Sequence, residues 1–111
     1  MIRALAEDCA RGAAFVWILR DAAARAPHYR LDDLAAIDER LEGLIDALRV
    51  ARRPGWTIAA RAMADADARP GEVFVAAVLA FAGADAERAD AVIERALAAA
   101  DRPRAAVAAL A

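Results

Sequence analysis

Apolar residues recur along this chain at steps of three and four, and they alternate nowhere over a length that would build a strand. The clearest case is Leu34, Ile37, Leu41, Leu44, Ile45 and Leu48, which share one face of a predicted helix from Leu31 to Arg49. Its opposite face carries Asp38, Glu39, Glu42, Asp46 and Arg49. Asp32 is placed to cap this helix, with Asp33 favourable in the first turn. Upstream, the spacing predicts a helix from Ile2 to Ala26 with Ile2, Leu5, Cys9, Gly12, Val16 and Leu19 facing inward. Phe15, Ile18 and Ala22 widen that face, and Trp17 points away from it. Pro27 restricts Ala26 and withholds a donor, so the corner falls at Pro27-His28-Tyr29-Arg30.

Proline and glycine divide the remainder. Arg53-Pro54-Gly55 precedes a predicted helix from Trp56 to Ala66, with Trp56, Ala59, Ala60 and Met63 inward. Ala68-Arg69-Pro70-Gly71 precedes another, Glu72 to Ala82, which presents Phe74, Ala77, Val78 and Phe81 and is closed by Gly83. Asp85 caps a fifth helix, in which Ala89, Val92, Ile93, Ala96 and Leu97 share a face. Asp101-Arg102-Pro103 opens a sixth, with Ala106, Val107 and Leu110 as its stripe. The expectation is a single all-α domain over residues 1–111 with about six helices. A long N-terminal helical hairpin occupies 1–53 and two short helix-hairpin repeats occupy 54–111. Pro70-x-x-x-Phe74-x-x-Ala77 aligns with Pro103-x-x-x-Val107-x-x-Leu110 about one helix-hairpin repeat later. That favours a HEAT-like, α-solenoid-like stack, with a closed helical bundle as the alternative.

Composition changes the picture in one respect. The chain is 61% hydrophobic, but much of that is alanine, which forms helices readily and buries little area. The helices are therefore expected to form easily and to pack with their backbones close together. At 111 residues the chain is long enough to fold without disulfides or metal. Cys9 is the one cysteine, which excludes an internal disulfide and a cysteine metal site, and its spacing suits packing.

There is no lysine, so all 15 basic residues are arginine; against 17 acidic residues they leave a net charge of -2. That balance disfavours a nucleic-acid binder. Arg49, Arg52 and Arg53 form a local basic cluster that suits the C-terminus of the second helix, with phosphate binding as the alternative. Glu7 and Asp8 interrupt any signal-peptide core, and the apolar run from Val73 to Ala84 is well short of the ~20 residues a membrane span needs. The expectation is a cytoplasmic protein without membrane contact.

Catalytic residue types are scarce. Cys9, Thr57 and His28 are the nucleophile and base candidates, and none sits in a recognisable catalytic setting. Asp38/Glu42 and Glu42/Asp46 are spaced for a shared helix face, which reads as a solvated face paired with Arg40 and Arg49 rather than a metal site. No phosphate-binding loop, dinucleotide fingerprint or calcium loop occurs. No catalytic, cofactor or metal residues are assigned. Trp17 and Trp56 are expected either to fill the junction between the hairpin and the first repeat or to anchor a partner. No charged residue follows Arg104, so Val107 and Leu110 are candidates for partner contact or weak homodimerisation.

Phe15-Val16-Trp17-Ile18-Leu19-Arg20-Asp21, Ala26-Pro27-His28-Tyr29, Ile37-Asp38-Glu39-Arg40-Leu41, Gly55-Trp56 and Gly71-Glu72-Val73-Phe74 resemble the N-terminal region of a proteobacterial HEAT-repeat protein family. The resemblance implies a helical repeat fold and carries no catalytic residues. It gives Phe15, Trp17, Arg20, Asp21, Pro27, His28, Tyr29, Asp38, Glu39, Arg40 and Trp56 structural roles. Some family members are encoded near type VI secretion genes, which implies an accessory or adaptor role. The functional expectation is a non-enzymatic protein–protein interaction module with an unknown protein partner. The rivals are an immunity or chaperone protein for a secreted effector and, further off, a small enzyme using His28.

Overall fold

Proline and glycine set the helix boundaries, though not always where the spacing predicts. The computed structural model describes residues 2–26, 30–98 and 102–110. Its helices are α1 (Ile2–Ala24), α2 (Leu31–Val50), α3 (Arg53–Ala64), α4 (Pro70–Ala82), α5 (Ala86–Ala96) and α6 (Arg102–Ala108). No strand occurs among the described residues, so the fold is all-α. Pro27, His28, Tyr29 and Asp101 lie outside the described residues. Helices α3 and α4 start earlier than expected, because Pro54 and Pro70 occupy first-turn positions that suit their fixed φ. Asp32 is not the cap of α2. The Asp33 carboxylate accepts a hydrogen bond from the Arg30 N–H (3.1 Å), and Glu72 does the same for the Arg69 N–H at α4 (3.2 Å). Asp85 caps α5 as expected, accepting from the Arg88 N–H at 3.1 Å.

Helix α4 is the centre of the molecule. It touches each of the other five helices. Val73, Phe74, Val75, Ala76, Ala77, Leu79 and Ala80 are all buried, as expected of a helix that is apolar all round. α1 and α2 form the antiparallel N-terminal hairpin, with Arg20 paired to Asp38 (2.9 Å) near one end and Gly12 facing Leu44 further along. α6 reaches back to that hairpin: Arg104 donates two hydrogen bonds to the Asp21 carboxylate at 2.9 and 2.8 Å. In an open stack each hairpin touches only its neighbours. Here α6 is tied to α1 by that ion pair and α4 touches every other helix, so contacts are not confined to neighbouring hairpins.

The inward face of α1 differs from the expected one. Leu5, Phe15 and Leu19 are exposed, while Ala6, Ala10, Ala13, Ala14, Val16 and Trp17 are buried. Trp17 does not point away from the core; it stacks on Phe74 with ring centroids 5.3 Å apart and planes 19° from parallel. The cause is the approach of α4. At Gly71 even a Cβ would fall on the Ala14 carbonyl oxygen and within 3.1 Å of the Ala14 Cα. Only the alanine stripe of α1 admits a neighbour that close, so the bulky residues are turned outward.

The other helices mix agreement and difference. Leu41, Ile45 and Leu48 of α2 are buried, as are Ala59 and Met63 of α3. α5 buries Val92 and Ala96 and α6 buries Ala105 and Ala106, while Ile93, Leu97, Val107 and Leu110 stay out. Among the described residues two non-glycines have positive φ: Ala84 (φ 52), just after Gly83, and Arg52 (φ 58) between α2 and α3. With ψ at -127, Arg52 occupies a region that costs a non-glycine residue of order 1–3 kcal/mol.

Candidate functional site

The α5–α6 pair carries the clearest outward apolar surface. α5 buries Val92 and Ala96 and leaves Ile93 and Leu97 exposed, Leu97 at 74%. α6 buries Ala105 and Ala106; Val107 on it and Leu110, two residues past its end, are 65% and 68% exposed. The expected α6 stripe of Ala106, Val107 and Leu110 is therefore split, and so is the α5 face that joined Val92 to Ile93 and Leu97. On α6 the buried Ala105 and Ala106 pack into the core, and Arg104, half exposed, pairs with Asp21 from the outer side. Val107, three residues on, shares that outer face, and Leu110 lies three further along.

The two tryptophans have different settings. Trp17 is only 6% exposed, so the ring is out of reach of any partner. Its assignment as a partner contact is corrected: it is a core residue joining α1 to α4. Trp56 is half-buried at the start of α3, packed against the core. The Arg88 guanidinium lies 5.1 Å from its ring centroid, close enough for a cation–π contact.

The remaining motif residues are spread out rather than gathered. Arg20 and Asp38 tie α1 to α2, and Asp21 holds both Arg104 and Arg25 (3.0 Å). Phe15, Glu39 and Arg40 are exposed. Cys9 is half-buried on α1 and Thr57 exposed on α3. Asp46 pairs with Arg49 at 2.7 Å, so one of the α2 carboxylates considered for a metal is engaged with a guanidinium instead. Among the described residues no group of three or more His, Cys, Asp or Glu side chains could hold a metal ion. No helix there is long and apolar enough to cross a membrane.

Sequence spacing missed Ile93 and Leu97 as surface residues, because it places them on the same face as Val92 and Ala96. The available signal was size: where alanines share a helix with bulkier residues and a neighbour comes close, the alanines take the inside. Comparison with protein-family models, curated proteins and solved structures finds no match.

Proposed function

We propose that this chain is a non-enzymatic helical module that binds another protein through the outer face of α5 and α6. The carrying observation is that Leu97 at the end of α5, Val107 on α6 and Leu110 just past it are each largely exposed. Large apolar side chains grouped at a surface favour partners that remove them from water. The patch is small and its helices are short, which suits weak, reversible docking of a partner helix rather than an obligate complex. A second copy of the chain offers the same surface, so self-association is the accessible readout. The narrower reading, an accessory or adaptor role beside type VI secretion, rests on the resemblance of the motif residues alone.

Light scattering across a concentration series is expected to show reversible association. Leu110→Glu and Val107→Glu, with helicity unchanged by circular dichroism, should each weaken it by about tenfold or more. A protein that stays monomeric throughout, or whose association is indifferent to both substitutions, would overturn the proposal.

A further inference from the structure

We infer that the pocket where α2, α3, α4 and α5 meet binds the phosphate of a small phosphomonoester of about mononucleotide size. Gly55 lets the start of α3 press against the Leu48 backbone, where a Cβ would strike the Leu48 carbonyl oxygen. That contact sets Trp56 beside the end of α2. The result is an open pocket of about 350 Å³ with Arg49, Arg52, Arg53 and Arg88 around it and the half-buried Trp56 in its wall. No carboxylate lines it, in a chain whose acidic residues outnumber its basic ones.

The charge is only partly answered. Arg49 is paired with Asp46 and Arg88 with Asp85 (3.5 Å), both carboxylates lying outside the pocket wall. The side chains of Arg52 and Arg53 form no hydrogen bond or ion pair among the described residues. Helping the C-terminus of α2 accounts for Arg49. It does not account for Arg53, which opens α3, where a positive charge faces the positive end of the helix dipole. Nor does it account for Arg52, whose backbone sits at φ 58 and ψ -127. Glycine at 52 and an acid at 53 would both be more stable. Strain and unfavourable charge at adjacent positions, both aimed at one pocket, point to use rather than stability.

The chemistry selects the ligand. Guanidinium forks match phosphate oxygens in bidentate fashion. Two free arginines beside two half-engaged ones suit a dianionic phosphate better than a lone carboxylate. The half-buried Trp56 ring in the pocket wall has no use for a bare anion and suits a planar body attached to it. The pocket's size is at the lower end of those that take small ligands.

The test is titration calorimetry of the full chain with adenosine monophosphate, inorganic phosphate and adenosine, at fixed moderate salt. Adenosine monophosphate is expected to bind saturably, inorganic phosphate more weakly and adenosine undetectably. Arg53→Glu should lower affinity by at least about tenfold. Arg52→Gly should lower affinity while raising the melting temperature, because it removes an anion contact and relieves the backbone together. That variant separates lost binding from lost folding. Arg61→Glu, the same charge change elsewhere on α3, should leave binding within about twofold. No saturable binding, equal affinity for inorganic phosphate and the nucleotide, indifference to Arg52→Gly and Arg53→Glu, or an equal loss from Arg61→Glu would each overturn the assignment.

Discussion

Trp17→Ala is expected to lower folding stability by about 3–5 kcal/mol, a large share of what a domain of this size possesses. The ring is almost fully enclosed and stacks on Phe74 across the α1–α4 contact. The α1 backbone beside it cannot move in to fill the gap, since Ala14 is already held against Gly71 of α4 through backbone contact. The cavity would therefore persist and add its own cost. Denaturant unfolding followed by circular dichroism measures the effect. A double-mutant cycle with Phe74→Leu should return a coupling of about 0.5–1.5 kcal/mol for the aromatic pair. A Trp17→Ala loss no greater than that of Phe15→Ala, at a neighbouring but exposed position, would remove Trp17 from the core.

Gly71→Ala is expected to cost about 1–3 kcal/mol or more, although it introduces a single methyl group and alanine is the better helix former. The methyl would meet the Ala14 carbonyl oxygen, which is backbone and cannot rotate away. Relief requires α4 to shift off α1, and α4 carries contacts to every other helix. The paired control is Gly43→Ala on α2, where a Cβ meets nothing within 4 Å. There the same substitution should stabilise by roughly 0.5–1 kcal/mol through reduced backbone freedom in the unfolded chain. Melting temperatures that move in the same direction for both variants would disprove the close α1–α4 crossing.

The contrast between α1 and α2 explains how far the sequence could be read. On α2 the inward residues are the bulky ones, so spacing alone finds Leu41, Ile45 and Leu48. On α1 the apolar residues cover several faces, and the choice among them depends on a partner helix elsewhere in the chain. Ala6, Ala10, Ala13 and Trp17 also recur at steps of four, three and four, a row as regular as that of Ile2, Leu5, Cys9, Gly12, Val16 and Leu19. Gly71 marks the matching close approach, yet nothing in sequence order pairs position 71 with position 14. The same limit applies to sites. Arg49, Arg52 and Arg53 are visible as a cluster, but Arg88 joins them only once α5 packs on α4, and the positive φ of Arg52 carries no sequence signature because the residue there is not glycine. On α6, the outward position of Val107 depends on Ala105 and Ala106 packing into a core that α4 and α5 build, which spacing within the helix does not reveal.

The place of α4 in chain order also governs the sequence of events during assembly. The α1–α2 hairpin is a local structure and closes a short loop, so it is early by the usual dependence of rate on contact separation. Yet that hairpin cannot bury its own apolar surface, because the stacking partner of Trp17 belongs to the fourth helix to emerge. Until α4 docks, the alanine stripe and the Trp17 ring stand in water on an otherwise finished hairpin. The docking of α4 is thus the cooperative step: it covers α1 and gives α5 and α6 the surface on which they settle. A chain in which α4 had not docked would hold in water a tryptophan that the folded protein encloses against Phe74, the kind of apolar surface through which self-association competes with folding.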